Sequence, residues 1–390
     1  MEISGADARI LIERFAGGQP PPPRLAAEFV VGFEELLDQW KDDLTGYVAA
    51  GGSLIRIVSA PSGTGKTHLA HALQARAAKA GYIVCQIDAQ AHHTDDDLAL
   101  YVAFCEGLKP PSVILQDGKE NGILSVIQYV AERMTGTDLR AAFRRNRLPI
   151  PTFGDTLASL VDEIRRDQPV SVSGRPDPLT QNGIVATVAL ISGQRVLGTR
   201  SLAQVRRVYG HPLLRKLSRT PGKRDARLWL ESFLRAVRPM GFKGVIIVLD
   251  EHDSLGSMVL DRHIVQLRRV LDKLTEGHLP GVFAVYFVLD NFVDRVAERH
   301  GALQQRIYPI LEGHVPHRVM SSLDDVRGAS TEEFLRRLGE SIYHLTGNGA
   351  MPREVREQCH KFAEDSASLG LTNTRQYVVR LANYLLDHVL

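Results

Sequence analysis

The sequence predicts an α/β fold, in which a parallel sheet carries a long, mainly helical insertion and is followed by a helical lid. Apolar runs of strand type occur at residues 54–59, 82–88, 244–250 and 282–290, with helical patterns between them. A glycine-rich turn joins the first run directly to a helix predicted over residues 67–80. Strands that alternate with helices pair in parallel through right-handed crossovers, which gives the fold class.

Three parts are predicted in order along the chain. Residues 1–24 hold an amphipathic helix within 1–18 and a stiff, extended proline linker at 20–23. Residues 25–315 form the core, which begins with a helix predicted over 34–50. The interval before the third strand is far longer than a crossover helix needs, so about 107–243 is assigned to the insertion. Residues 316–390 form the lid, with helices expected at 331–345, 352–367 and 373–390.

A phosphate-binding loop is indicated between the first strand and its helix. The residues match the pattern G-x-x-x-x-G-K-[ST] with alanine in the first position: Ala60, Pro61, Ser62, Gly63, Thr64, Gly65, Lys66 and Thr67. Glycines let backbone N–H groups converge on phosphate oxygens in front of an electropositive helix N-terminus. Lys66 is expected to hold the β- and γ-phosphates of ATP, and the Thr67 hydroxyl to ligate Mg²⁺. A chance glycine-rich turn is the alternative, which the flanking strand and helix disfavour.

Two carboxylates end the third strand. Asp250 is expected to hold Mg²⁺ through its water shell, and Glu251 to polarise an attacking water molecule. Strands often end in acidic residues for no catalytic reason. The catalytic interpretation depends on the phosphate-binding loop, which is predicted to follow a neighbouring strand, so that both sites meet around one ion.

Three further polar residues are candidates for the catalytic site. Asn291 follows the fourth strand and could reach the γ-phosphate or the water; it is preferred to Asp290, which the phosphates would repel. Arg306 and Arg353 could neutralise γ-phosphate charge, Arg306 in a neighbouring subunit and Arg353 from the lid. The alternative is that both arginines are solvated surface residues.

Together these motifs resemble those of the AAA+ ATPases, most closely the origin-recognition and initiator type. Residues 30–35 stand where that group has its V-G-R-E segment beside the adenine, with Phe33 in place of arginine, and the resemblance assigns Val31 to the nucleotide. More narrowly, residues 8–15, the proline linker, Gly51, Gly52 and residues 77–87 resemble the BrxD-like ATP-binding proteins of bacterial BREX phage-defence systems. This resemblance implies an ATPase that works with nucleic acid or with protein partners in a defence complex.

A basic segment lies inside the insertion, where Arg195 to Lys243 include thirteen arginines and lysines against Asp225 and Glu231. Because clustered cations neutralise phosphates, the segment is a candidate for DNA or RNA contact. The alternative is a solvated helical face that docks on a protein partner, since Leu213, Leu214 and Leu217 need a surface to bury against.

Composition limits the classes of protein to which the chain can belong. Hydrophobic residues make up 44% and charged residues 24% of the chain, and the net charge is +2, as in ordinary soluble proteins. The apolar runs are too short to span a membrane, and three widely spaced cysteines form no metal-ligand pattern. A cytoplasmic protein is expected.

Three hypotheses about function follow. The first is an ATPase that couples hydrolysis to DNA-associated work or to assembly of a defence complex, as a homo-oligomer. The second is an ATP-gated switch or scaffold that hydrolyses slowly and recruits a protein partner. The third is a DNA-binding regulator of the transposition or helicase-loader type, which has the same AAA+ core.

Overall fold

The computed structural model describes residues 3–88, 96–118, 120–167, 178–196, 198–199, 201–250, 279–288, 320–322, 330–368 and 374–390. Within these ranges the chain is a mixed α/β structure, as the sequence predicts. No helix among the described residues has both the length and the apolar character needed to cross a membrane.

The described strands form one sheet with the order β3-β2-β4-β5-β1-β6. All neighbours are parallel except β3, which pairs antiparallel with β2 at one edge. The strands are β1 Leu54–Ser59, β2 Ile83–Asp88, β3 Leu108–Lys109, β4 Val245–Asp250, β5 Val282–Val288 and β6 Met320–Ser322. The four predicted strands are therefore present, each within two residues of its expected bounds, whereas the short edge strands β3 and β6 have no counterpart in the prediction.

One predicted adjacency is wrong. Strand β4 does not neighbour β1, because β5 and β6 occupy the two edges of β1. The register nevertheless brings their ends together, since Val58 of β1 and Asp250 of β4 both pair with Phe287 of β5. Strands lie about 4.8 Å apart, so the end of β4 is roughly 10 Å from the end of β1. Polar residues at both strand ends therefore share one edge of the sheet.

One face of the sheet is covered by helices that flank the first strand. They are α3 Glu34–Asp42, a π-helix at Asp43–Val48 and α4 Lys66–Lys79, preceded by α1 Gly5–Ala16 and the short α2 Pro23–Ala26. The single helix predicted over 34–50 thus changes to a π-helix after Asp42. Asp43 forms a buried ion pair with Arg56 of β1, with an Arg56 Nη2 to Asp43 Oδ2 distance of 2.6 Å. This pair attaches the π-helix to the strand that leads into the glycine-rich loop.

The segment between β2 and β4 is mainly helical and covers the opposite face. Its helices are α5 Asp97–Gly107, α6 Pro111–Leu115, α7 Ile123–Ala131, α8 Gly136–Asn146, α9 Pro151–Asp167, α10 Pro178–Ile191, α11 Leu202–Tyr209, α12 Pro212–Lys216 and α13 Ala226–Val237. Except for α6, which packs against α4, they share one apolar core with the strands. The insertion is therefore a structural layer of the domain, because it buries the second face of the sheet.

The C-terminal helices pack with the N-terminal helix. They are α14 Thr331–His344, α15 Arg353–Ala367 and α16 Thr374–His388. Leu11 and Ile12 of α1 are buried in the same cluster as Tyr377 and Leu381 of α16. Residues from the first and third predicted parts of the chain therefore share one core.

Candidate functional site

The glycine-rich loop has the backbone geometry that phosphate binding requires. Gly63 and Gly65 adopt φ angles of 79° and 102°, a region in which residues with a Cβ are strained. Helix α4 starts directly after Gly65, and no side chain caps it. Its first backbone N–H groups therefore face the loop without a side-chain acceptor, which makes this helix end suited to an anion.

Lys66, Thr64 and Ala60 shape the loop, and of these three residues only Lys66 also lines the space in front of it. Lys66 Nζ donates to the carbonyl oxygens of Ala60 (2.5 Å) and Pro61 (3.0 Å), and Thr64 Oγ1 also donates to Pro61 O (2.8 Å). Ala60 is fully buried, and its φ angle is not positive. Alanine is therefore compatible with the position where the pattern has glycine.

A cavity of about 300 Å³ opens in front of the loop and has three walls. The loop and α4 provide the first wall, the N-terminal segment the second, and α14 and α16 the third. In this order the lining residues are Ser62, Gly63, Gly65, Lys66, Thr67 and His68; Phe15, Gly18, Gln19, Pro20, Pro21, Phe29, Val31 and Phe33; and Phe334, Leu338, Ile342, Thr374, Arg375 and Val378. Polar groups of the loop line the first wall, and apolar side chains predominate on the other two walls, which are called the apolar end of the cavity.

Val31, which the resemblance assigns to the nucleotide, lines the cavity together with aromatic residues. Val31 and Phe33 are buried, and the rings of Phe15 and Phe29 lie 5.3 Å apart between centroids. An apolar slot beside a phosphate-binding loop suits the flat base of a nucleotide. Phe33, which stands where the resemblance has arginine, contributes apolar surface to this end.

Two histidines of α4 attach the N-terminal wall to the loop. His68 Nε2 donates to Phe29 O (2.7 Å) and His71 Nδ1 donates to Pro21 O (2.6 Å), because a carbonyl oxygen can only accept. Burial lowers the pKa of His68 to about 4 and also lowers the pKa of His71. Both rings are therefore neutral near pH 7, and the prolines expected to act only as a linker are part of the cavity wall.

The lid contributes an arginine other than the predicted one. Arg375 opens α16 and lines the cavity, and among the described residues no hydrogen bond or ion pair involves its side chain. A Cβ added to Gly18 would lie 3.1 Å from Arg375 Nε, so the arginine packs closely on the N-terminal segment. Arg353 is 90% exposed, pairs with Glu357 at 2.7 Å, and is not among the residues that line the cavity.

The remaining predicted catalytic residues are Asp250, Glu251, Asn291 and Arg306. Asp250 ends β4 at the shared edge of the sheet, and Glu251, Asn291 and Arg306 lie outside the described residues. The end of β5 is tied to the loop, because Ala60 N donates to Val288 O at 3.1 Å. The end of β5, three residues before Asn291 in sequence, therefore lies beside the start of the phosphate-binding loop. Within the described ranges, no group of three or more His, Cys, Asp or Glu side chains could hold a metal ion.

The basic segment is divided by the structure into internal and exposed cations. Arg206 donates to the carbonyl oxygens of Leu214, Arg215 and Leu217, and therefore fastens α11 to the end of α12. Leu213, Leu214 and Leu217 are buried. Seven cations of the segment are exposed, and among the described residues their side chains have no hydrogen bond or ion pair: Arg195, Arg207, Arg215, Lys216, Arg224, Arg227 and Lys243.

The comparison with protein families identifies the first part of the chain. The family model described as BREX system ATP-binding protein BrxC/D matches residues 3–110. The predicted resemblance to BREX ATP-binding proteins is thereby confirmed. The matched residues include α1, the proline segment, Val31, the whole loop and both histidines of α4, which together form two walls of the cavity. No curated protein and no solved structure was found to match the chain.

The histidine contacts predict a pH dependence. The pKa of His68 is lower in the folded chain than its ordinary value of 6.5, so the unfolded chain binds the proton more tightly. The contribution of His68 to the free energy of unfolding is therefore fully present above about pH 6.5, and it is lost as the pH falls towards 4. We expect the wild type to lose about 2 kcal/mol more than His68→Gln between pH 7 and 4.5, because glutamine keeps a donor but does not titrate.

Urea unfolding at several pH values measures this difference. His360→Gln, at an exposed position of α15, is the matched control and should follow the wild-type curve. Parallel curves for the wild type and His68→Gln would contradict the assignment.

Proposed function

We propose that this chain is an AAA+-type ATPase that binds ATP with Mg²⁺, hydrolyses it, and couples hydrolysis to DNA-associated or complex-assembly work in bacterial phage defence. The observation that carries the proposal is the cavity, in which a phosphate-binding loop opens onto an apolar slot closed by two other parts of the chain. The family match supports an ATP-binding role in phage defence, since the family is described as a BREX system ATP-binding protein.

We place ATP in this cavity in the orientation that matches its lining. The triphosphate takes the polar end, where the uncapped start of α4 and the Lys66 ammonium provide positive charge. In the present structure Lys66 donates to two loop carbonyls, so phosphate oxygens would replace carbonyls as its acceptors. The adenine then lies against Val31 and Phe33 at the apolar end.

Hydrolysis requires a water molecule in line with the γ-phosphate. Glu251 follows β4, whose end is on the edge of the sheet that carries the loop, and its carboxylate would take the proton of the water as the water oxygen bonds to the γ-phosphorus. The bond from the γ-phosphorus to the bridging oxygen breaks, and ADP and phosphate leave. Asn291 would orient the water or the γ-phosphate. Thr67 and Asp250 would hold Mg²⁺, which would supply positive charge to neutralise the phosphates.

Two arginines are assigned to the γ-phosphate in this proposal. Arg375 lines the cavity and has a side chain without a described partner, so it takes the role of the lid arginine in place of Arg353. Arg306 is proposed to act in the site of a neighbouring subunit, which requires a homo-oligomer.

The exposed cations at 207–227 are proposed to contact DNA. These cations are concentrated in one segment, whereas the net charge of the whole chain is only +2. Their side chains form no ion pairs with other described residues. A surface that binds nucleic-acid backbone needs such accessible charge. Protein partners from the same defence system are the other proposed contacts.

Steady-state ATP hydrolysis tests the proposed function. Glu251→Gln should lower kcat by about 100-fold or more while ATP still binds, because the proton acceptor is lost. Lys66→Ala should abolish nucleotide binding itself. Unchanged turnover in Glu251→Gln, measured with Mg²⁺ and duplex DNA present, would refute the hydrolytic assignment.

The two lid arginines give a matched pair of variants. Arg375→Ala should weaken ATP binding or turnover by about tenfold or more, because a charge-assisted contact to phosphate is removed. Arg353→Ala should stay within about twofold of the wild type, since its exposed pair with Glu357 contributes little. Titration with ATP and with ADP separates the γ-phosphate contribution, and the reverse ranking of the two variants would restore Arg353 to the site.

The basic surface is tested by neutralising four cations together. Arg215, Lys216, Arg224 and Arg227, all changed to Gln, should weaken duplex DNA binding and reduce the slope of log Kd against log salt by about 3. The control changes four exposed cations elsewhere, Lys41, Arg336, Arg356 and Lys361, to Gln, which alters net charge equally. An equal loss in both variants would show that only net charge matters.

The ATP-gated switch is the second candidate function. The three walls of the cavity favour it, since the N-terminal segment and α16 both line the space that ATP would occupy. Single turnover without steady-state cycling would support the switch over the cycling ATPase. ATP-dependent assembly on duplex DNA would instead support a regulator of the transposition or helicase-loader type.

A further inference from the structure

A second cavity lies at the edge of the sheet, on the side of the insertion. It has a volume of about 650 Å³, and it lies between β2, β3, the end of α5, the start of α7 and helix α10. No described residue lines both this cavity and the one at the phosphate-binding loop. The volume is within the range of about 300–1,000 Å³ found for small-molecule sites.

Close backbone packing builds the polar end of the cavity. A Cβ added to Gly107 would lie 2.2 Å from Gln86 O, so only glycine lets the end of α5 approach β2 this closely. The chain then enters β3, where Lys109 pairs with Val84 across the strands. Gly122, with φ of 89°, donates its N–H to Leu108 O at 2.7 Å and leads into α7. These contacts place Lys109 and the first turn of α7 on one wall.

Hydrogen-bond donors dominate this wall. Lys109 is half-buried, and no described carboxylate lies within 4.0 Å of its ammonium; burial lowers the pKa of this lysine. Gln86 accepts from Gln74 Nε2 through Oε1 (3.3 Å), which leaves its NH₂ group for another acceptor. Asn121 adds a further amide at the rim. A half-buried ammonium beside amide donors favours an anionic group.

The opposite wall is different in character. Helix α10 presents Val185, Val188 and Ala189 to the cavity, and Val185 is 54% exposed. The Glu106 carboxylate at the end of α5 also lines the cavity and accepts a hydrogen bond from Gln194 Nε2 at 2.7 Å. An aliphatic surface that faces a cavity gains free energy when an apolar group covers it. The ligand should therefore carry an apolar body as well as a charged head.

We propose that this cavity binds a small organic anion, in which a carboxylate or phosphate contacts Lys109 and an apolar or aromatic body covers the Val185 wall of α10. The site is separate from the proposed ATP site and does not depend on ATP hydrolysis. Its position against β2 and α10 connects the insertion to the sheet, so bound anion would contact both layers of the domain.

Binding of anilinonaphthalene sulfonate, an aromatic anion that fluoresces in apolar sites, tests the proposal on the full chain. We expect saturable binding with a Kd that rises about tenfold or more in Lys109→Met, because a charge-assisted contact is removed. Val185→Glu, at an exposed position, should weaken binding similarly through charge repulsion and needs no change in the core. Lys41→Met, at an exposed position of α3, should bind the probe as the wild type does.

Competition identifies the chemistry of the head group. Phenyl phosphate or phenylacetate should displace the probe, and whichever is stronger assigns phosphate or carboxylate, whereas neutral phenylethanol should not displace it. Equal affinity in the wild type, Lys109→Met and Val185→Glu would overturn the proposal. So would failure of both anions to compete, or equal competition by phenylethanol.

Discussion

Helix α4 is the element on which the arrangement of the candidate site depends. Its N-terminus must start without a capping side chain directly after Gly65, so that backbone N–H groups remain for an anion. One turn later, His68 and His71 donate hydrogen bonds to the carbonyls of Phe29 and Pro21. The same helix therefore provides the phosphate-binding end and holds the wall that carries the apolar slot. The neutral state of both rings follows from their burial, which lowers their pKa values.

The third wall is held in place by apolar packing. Leu11, Ile12 and Phe15 of α1 are buried with residues of α14 and α16 in one apolar cluster, so the N-terminal helix connects the loop region to the lid. Through this cluster, a displacement of α16 would also move the segment that contacts α4. Arg375 of α16 packs on Gly18, which precedes the proline segment in the cavity wall. The proposed ATP-gated switch depends on this contact between the lid and the N-terminal segment.

Local patterns predicted the parts of this structure that local chemistry determines. The loop between β1 and α4 could be read from the glycines and Lys66, and the strands from unbroken apolar runs. The order of the strands could not, because β5 lies between β1 and β4 through pairing that no local pattern encodes. Arg375 was missed for the same reason: its position on the cavity follows from the packing of α16 on α1. The wall formed by Pro20 and Pro21 depends on His71, fifty residues away in sequence.

The central claim is that one nucleotide occupies the cavity between the loop, the N-terminal segment and the lid. Photolabelling with azidoadenosine triphosphate, followed by mapping of the modified peptides, tests it most directly, because the azide reacts with the residues that contact the adenine. The account predicts adducts in the peptides around Val31 and Phe33 and in those of α14 or α16, suppressed by excess ATP and absent in Lys66→Ala. Adducts confined to the insertion, or unaffected by Lys66→Ala, would contradict it.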